Sequence, residues 1–331
     1  MRIRALGVTP GSLPPGRLNA ITDVPGVLVG HTTLATGPVN TGVTAIVPPG
    51  YEGGQAGYAG GLPAAIAVGN GYGKLVGSTQ VEELGVLETP VLLTGTLSVF
   101  RVADALVSWL LERDPSAISL NPVVGETNDG YLSDIRSRPI TPEHVFAALD
   151  SATADLPAEG NVGAGTGTVA LGFKAGIGTS SRQLTAGVVG VLVQANFSGT
   201  LTVLGTPVLP PVESPVPEGN SCVIVVATDL PLDARQLGRV ARRAVFAMGR
   251  VGSDFSPGSG DYAIAFSTNR ATPPQDQALK EVFNATTEAT EEALLNSLTM
   301  AGTVTGHHGN TQYAVPHELI SRALRPTPPA V

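Results

Sequence analysis

The sequence predicts a mixed α/β fold in which helices cover the β-sheets. Its candidate strands are β-branched runs that stay apolar along their length, as expected of strands buried on both faces. In four other segments the apolar residues recur at helical spacing. With 331 residues, the chain is long enough for one large domain or two ordinary ones, with a substantial core in either case.

The individual elements follow from these two patterns. The predicted strands are Val27–Val29, Gly42–Val47, Ile66–Val68, Val91–Leu93, Gly187–Val193, Val223–Ala227 and Tyr262–Phe266. The predicted helices are Leu97–Glu112, a segment from the N-cap Thr141 to about Ala154, a segment from the N-cap Asp233 to Met248, and Gln277–Leu298.

Composition excludes several classes of protein. Charged residues make up only 14% of the chain and hydrophobic residues 42%, which argues against disorder and favours subunit contacts in a homo-oligomer. The net charge of −8 and the lack of a dense basic cluster argue against nucleic acid as a partner. The single cysteine, Cys222, excludes an intrachain disulfide framework.

The sequence also bears on location. No stretch reaches the ~18 apolar residues of a membrane span, so no membrane partner is expected. The first residues lack the apolar run of a signal peptide. We therefore expect a soluble, cytoplasmic protein.

Familiar cofactor motifs fail on inspection. The segment Gly69–Lys74 resembles a phosphate-binding loop, but Leu75 follows the lysine where Ser or Thr is required. In Gly163–Thr168, a threonine stands where a dinucleotide fingerprint needs its third glycine. Both segments are better interpreted as tight turns, and no cofactor or metal is expected.

A proline-rich segment precedes one of the strands. Five prolines lie between Pro207 and Pro217, and Asn220 and Ser221 then lead directly into a buried apolar run. A surface loop between two strands is one interpretation. The other is cleavage between Asn220 and Ser221, which would give the serine an α-amine of pKa about 7.7–8.0 as a built-in base.

Seven blocks, in order along the whole chain, resemble the DmpA-like family of L-aminopeptidase/D-amino-acid esterases and β-peptidyl aminopeptidases. They are Asn19–His31, Gly69–Leu84, Pro122–Asp134, Gly160–Arg182, Gln194–Gly199, Asn220–Leu232 and Gly258–Thr268. The resemblance implies a single domain, 1–331, with the four-layer αββα sandwich of the DmpA/ornithine acetyltransferase type, similar to N-terminal-nucleophile hydrolases. It also implies self-cleavage into chains 1–220 and 221–331 and assembly of these processed pairs into a homo-oligomer.

The same resemblance implies the roles of individual residues. Ser221 would be the nucleophile for self-cleavage and acyl transfer, and Asn196 would stabilise the oxyanion. Ser259 and Asp261 match a serine and an acidic residue placed beside the nucleophile; some relatives have Glu at the acidic position. The remaining matches are Tyr131, which would line the site, and Glu126, which would pair with the free amine of the substrate.

The expected activity is removal of N-terminal residues from short peptides, amides or esters. One alternative is an acetyltransferase of the arginine-biosynthesis type, which resembles the family in fold and self-cleavage but uses threonine as its nucleophile. Another is a non-catalytic protein whose proline-rich loop binds a partner.

Overall fold

The computed structural model describes residues 1–51, 57, 60–211 and 220–323. Its α-helices are α1 (Ser78–Leu84), α2 (Val99–Arg113), α3 (Pro142–Asp150), α4 (Ala234–Met248), α5 (Leu279–Thr299) and α6 (His317–Ala323). None of the described helices is long and apolar enough to cross a membrane.

In the described part of the chain, ten strands build two large sheets, and six two-residue strands form small hairpins. The strands are β1 (Leu28–Thr36), β2 (Val39–Val47), β3 (Leu62–Gly71), β4 (Val86–Leu87), β5 (Val91–Gly95), β6 (Val123–Thr127), β7 (Val169–Ala170), β8 (Phe173–Lys174), β9 (Ile177–Gln183), β10 (Val188–Asn196), β11 (Thr202–Val203), β12 (Thr206–Pro207), β13 (Ser221–Thr228), β14 (Gly260–Ser267), β15 (Val304–Thr305) and β16 (Thr311–Gln312).

The two large sheets lie face to face between two helical layers. One sheet has the strand order β1-β2-β5-β6 and packs against α2 and α3. The other has the order β4-β3-β14-β13-β10-β9 and packs against α4 and α5. Three apolar clusters fill the spaces between the four layers. The predicted αββα sandwich is therefore confirmed.

The central strand β13 shows how the sequence specifies these layers. Its side chains alternate between the faces of the sheet, so Val223 and Val225 join the core between the sheets. Ile224 and Val226 pack instead with the residues of α4 and α5. Burial of each valine or isoleucine contributes roughly 1.5–3 kcal/mol, which explains the unbroken apolar run.

The four predicted helices are confirmed as α2 to α5, with ends that differ by a few residues. The largest difference is in α3, which ends at Asp150 rather than near Ala154. The backbone of Thr153 exchanges hydrogen bonds with that of Val29 on β1, which holds the chain extended there. Asp233 caps α4 as predicted, because its Oδ1 accepts a hydrogen bond from the backbone N–H of Gln236 at 2.7 Å.

Candidate active site

Three strand ends meet at one edge of the six-stranded sheet. Ser221 is the first residue of β13, and its antiparallel register partner is Asn196, the last residue of β10. On its other side, Ser221 is in parallel register with Gly260, the first residue of β14. The core strands thus fix the backbone of the predicted nucleophile from both sides.

The peptide bond that precedes Ser221 has two hydrogen-bond donors on its carbonyl oxygen. The Ser221 Oγ donates to the Asn220 carbonyl oxygen at 2.5 Å. The backbone N–H of Gly260 donates to the same oxygen at 3.2 Å. Both donors polarise this carbonyl, which is the one that the predicted cleavage would attack.

The side chain of Asn196 is oriented by the backbone of β7. Its Oδ1 accepts a hydrogen bond from the Val169 N–H at 2.9 Å, with both groups buried. A peptide N–H is only a donor, so this contact assigns Oδ1 to the Val169 side and directs the NH₂ group elsewhere. The amide has the fixed orientation that an oxyanion donor needs.

Ser259 and Asp261 are joined by a hydrogen bond from the Ser259 Oγ to Oδ1 of Asp261 at 2.7 Å. The Nδ2 of Asn70 on β3 donates to Oδ2 of the same carboxyl group at 2.9 Å. Burial raises the pKa of Asp261, and the hydrogen bonds from Ser259 and Asn70 oppose that rise.

The side chain of Asp261 lies on the helix side of the six-stranded sheet, on the face opposite to Ser221. Its register partner on β13 is Cys222, whose side chain packs in the core on the helix side. Because successive side chains of a strand alternate, Ser221 points to the opposite face. Of the two residues Ser259 and Asp261, Ser259 is therefore the one at the sheet edge where Ser221 begins β13, because it immediately precedes β14.

Glu126 is a buried carboxylate that lies beside Lys74. Its Oε1 accepts a hydrogen bond from the Lys74 backbone N–H at 2.8 Å, and the Lys74 ammonium lies 3.8 Å away. The same ammonium donates to Thr96 Oγ1 at 3.0 Å. Oε2 is buried and has no hydrogen-bond partner among the described residues. Burial raises the pKa of Glu126, and the Lys74 backbone N–H, the Lys74 ammonium and the Thr96 hydroxyl oppose that rise.

A small cavity joins Ser221 to Glu126. Its lining residues are Tyr72, Lys74, Thr96, Glu126, Asn128, Asn220, Ser221 and Gly258. Tyr131 is not among them; it lies in the turn after β6, and its carbonyl accepts a hydrogen bond from Asn310 Nδ2 at 2.9 Å. The structure thus brings together two residues that are 95 positions apart in the sequence: Ser221, the predicted nucleophile, and Glu126, the predicted partner of the substrate amine.

Several contributing groups were not predicted. They are the side chains of Asn70 and Lys74 and the backbone N–H groups of Val169 and Gly260. The side chains lie in a block that carried the family resemblance, which was a signal for them. The two N–H groups depend only on the path of the backbone, so residue types give no sign of them.

Within the described ranges, no group of three or more His, Cys, Asp and Glu side chains is arranged to hold a metal ion.

Comparison with known proteins assigns the family. The model of peptidase family S58 matches residues 19–312. The chain belongs to peptidase family S58. A curated relative in Sphingosinicella xenopeptidilytica, named beta-peptidyl aminopeptidase BapA, is 39% identical to the S58 chain, over 98% of this chain and 91% of the relative.

Two solved structures have the same fold as this S58 chain. A Burkholderia sp. beta-aminopeptidase is 39% identical, with a TM-score of 0.89 and 98% of each chain covered. The L-aminopeptidase D-Ala-esterase/amidase of Ochrobactrum anthropi is 34% identical, with a TM-score of 0.89 and 98% of each chain covered. It is described as a prototype of the serine aminopeptidases and a variant of the Ntn hydrolase fold.

These matches confirm the predicted family, the fold class and the assignment of the chain as an aminopeptidase of the hydrolase class. The division into chains 1–220 and 221–331 and the roles of the individual site residues stay predictions.

Proposed function

We propose that the chain is a self-processing serine aminopeptidase that releases N-terminal residues from short peptides, amides or esters through an acyl-enzyme on Ser221. The observation that carries the proposal is the junction before β13. There the Ser221 hydroxyl contacts the carbonyl of its own preceding residue, and Gly260 N–H donates to the same oxygen.

Self-processing begins with attack of the Ser221 Oγ on the Asn220 carbonyl carbon. The hydroxyl proton passes to the departing nitrogen of Ser221, the C–N bond breaks, and an ester joins Asn220 to Ser221 Oγ. Water then hydrolyses this ester, giving the Asn220 carboxylate and a free Ser221 α-amine. The position of β13 between β10 and β14 supports this step, because both neighbouring strands hold the backbone of Ser221 in place. The hydroxyl is bonded directly to Cβ, so a fixed backbone leaves it little freedom.

In peptide hydrolysis the freed amine acts as the general base. It takes the proton of its own hydroxyl as Oγ attacks the substrate carbonyl, and it gives that proton to the leaving amine. Water then hydrolyses the acyl ester on Oγ, which releases the N-terminal residue as its carboxylate and restores the Ser221 hydroxyl. The Ser259 hydroxyl proton is held by Asp261, so its oxygen is available to accept an N–H of the Ser221 amine and to orient that amine. The NH₂ group of Asn196 stabilises the oxyanion, an interaction worth about 2.7–4 kcal/mol.

Glu126 selects substrates that carry a free ammonium group. Its buried Oε2 has no hydrogen-bond partner in the described part of the chain and belongs to the same cavity as Ser221, so a substrate ammonium can pair with it while the scissile carbonyl reaches Oγ. This arrangement favours removal of a single N-terminal residue over internal cleavage. The proposed partner is thus a short peptide or an aminoacyl amide or ester.

Assembly of processed pairs into a homo-oligomer and a cytoplasmic location are parts of this proposal that follow from the sequence. Size-exclusion chromatography with light scattering gives the oligomeric state directly. A mass equal to one processed pair would contradict the assembly.

The test of the function uses β-alanyl and L-alanyl p-nitroanilides with purified protein. We expect release of p-nitroaniline from at least one of them, loss of that release in Ser221→Ala, and full release in the exposed control Ser108→Ala. Hydrolysis by Ser221→Ala at the wild-type rate would show that another group is the nucleophile.

A further inference from the structure

Lys174 is a fully buried lysine in the β7–β8 hairpin, outside the cavity of the proposed reaction. A buried ammonium group is costly unless hydrogen bonds compensate for its lost hydration, so its contacts show what it holds in place. Lys174 has no part in the steps described above.

The Lys174 side chain ties two parts of the backbone together. Its Nζ donates to the carbonyl oxygen of Gly165 at 3.1 Å and also to that of Ala175. Gly165 lies in the short 3₁₀ helix Gly163–Gly165, where the Thr168 hydroxyl donates to the same carbonyl at 3.1 Å. The 3₁₀ helix and the end of β8 are thereby fixed relative to each other.

The segment held in this way carries the N–H that orients Asn196. Val169 follows Thr168 directly and is the register partner of Lys174 in the hairpin. Its N–H donates to Oδ1 of Asn196 at 2.9 Å, and Asn196 is the register partner of Ser221. A continuous series of contacts therefore runs from the Lys174 amine to the proposed oxyanion donor.

The surroundings of Lys174 explain why these contacts can persist near neutral pH. Burial lowers the pKa of Lys174 to about 7, and the nearby Asp129 opposes that shift. Burial likewise raises the pKa of Asp129, also to about 7. The neutral amine keeps two N–H donors, enough for both carbonyls, so the contacts do not require the charged form.

We propose that Lys174 is a positioning residue for the reaction: by holding the Gly165 carbonyl, it fixes the Val169 N–H that orients the amide of Asn196. The inference rests on the proposed function, in which Asn196 stabilises the oxyanion. Lys174 touches neither the substrate nor Ser221 in this account and acts only through Asn196.

A double-mutant cycle tests this role. The wild type, Lys174→Met, Asn196→Ala and the double variant are compared with the aminoacyl p-nitroanilide that the wild type hydrolyses. Kinetic constants are referred to the cleaved fraction of each preparation, measured by intact mass. Lys174→Met keeps the length and bulk of the side chain and removes its donors.

We expect Lys174→Met to lower kcat about tenfold to a hundredfold, as a misplaced catalytic group does, with KM changed less than about threefold. In the Asn196→Ala background the same change should alter kcat less than about twofold, because the group that it positions is absent. A general loss of stability would instead lower the folded fraction and leave kcat per cleaved chain intact. Glu159→Gln is the control for a general loss of stability, because Glu159 is buried and contacts Arg2 and Thr179 rather than residues of the site.

The inference would be overturned if Lys174→Met had the kcat of the wild type. It would also be overturned if the fold-loss of kcat in the double variant equalled the product of the losses in the two single variants. Either result would leave the proposed function in place. An inactive wild type would instead overturn the proposed function. Should Lys174→Met not accumulate as folded and cleaved protein, the cycle is run with Thr168→Val, which removes the other side-chain donor to the Gly165 carbonyl. The expected result is a smaller drop in kcat that again disappears in the Asn196→Ala background, and a drop that persists there would overturn the inference.

Discussion

At the residue scale, Glu126 places a buried carboxylate in the cavity that it shares with Ser221. A buried charge is stabilised by a counter-charge that comes within hydrogen-bond distance. In the proposed function the ammonium group of the substrate supplies that counter-charge, which gives selectivity for substrates with a free amine.

Glu126→Gln tests this role. We expect kcat/KM for the aminoacyl p-nitroanilide to fall about 30-fold or more, mainly through KM, because the charge pair is made equally in the ground state and in the transition state. Steady-state kinetics with the exposed Glu83→Gln as the matched control provide the measurement. A KM equal to that of the wild type would show that the amine binds elsewhere.

His31 gives a second prediction at the residue scale, on stability. Burial lowers its pKa from 6.5 to about 4. The unfolded chain therefore binds a proton at higher pH than the folded chain does, and stability falls as the pH drops from about 6.5 to about 4. The full loss is about 3 kcal/mol.

Urea unfolding between pH 4 and pH 7 measures this effect, with the chain kept intact by Ser221→Ala. His31→Gln in that background should lose less stability on acidification, by up to the same amount, whereas the exposed His308→Gln should behave like its parent. If His31→Gln follows the parent curve throughout, His31 is not the group that titrates.

At the scale of elements, α5 is held against β9 by a buried ion cluster. The guanidinium of Arg182 on β9 is fully buried; its Nε lies 3.1 Å from Glu288 and its Nη2 lies 2.9 Å from Glu292. Arg4, near the N-terminus, pairs with the same Glu292 at 2.7 Å. Removal of Arg182 would leave Glu288 without its guanidinium partner and Glu292 with Arg4 alone.

We expect Arg182→Met to lower the free energy of unfolding by about 3–5 kcal/mol, the cost of breaking a buried ion pair from one side. The matched control is Arg235→Met, whose pair with Asp276 lies at the surface, where solvent screens it and its contribution to stability is small. Both are compared by urea unfolding in the Ser221→Ala background. Equal losses in the two variants would contradict a structural role for the cluster.

The elements also show what the sequence could and could not predict. All seven predicted strands are confirmed, because an unbroken apolar run signals burial directly; only Val27 and Gly187, the first residues of two of them, lie just outside the observed strands. β9 was not predicted, because it contains Thr179, Ser180 and Ser181. Their buried hydroxyls donate hydrogen bonds to backbone carbonyls and to the carboxylate of Asp23. Its polarity is compensated only in the folded chain, so no local pattern identifies it as a core strand.

The candidate active site was likewise predictable only in part. The position of Ser221 at the start of a core strand was readable from the proline-rich segment and the apolar run that follows it. Residues 212–219 of that segment lie outside the described residues. The pairing of Ser221 with Asn196 and the approach of Gly260 N–H to Asn220 arise from strand order, which tertiary packing decides.

At the scale of the whole molecule, the proposed chains 1–220 and 221–331 are interleaved. β13 and β14 come from the second and lie between β10 and β3 of the first, within one continuous sheet. Separation would break the hydrogen bonds on both sides of the β13–β14 pair and expose the two cores that this sheet covers.

We therefore expect the two chains to elute together from size-exclusion chromatography under native conditions and to separate only in denaturant. Electrophoresis of the native peak under denaturing conditions should show both chains in equal molar amounts. Native elution of chain 1–220 without its partner would contradict the interleaved assembly.

Intact-mass spectrometry of the purified protein shows whether Ser221 becomes an N-terminal nucleophile. We expect two polypeptides that correspond to residues 1–220 and 221–331, the second beginning with an unmodified Ser221 amine, and one uncut chain in Ser221→Ala. A single chain of 33.6 kDa that persists through incubation while the wild type hydrolyses its substrate would contradict this expectation.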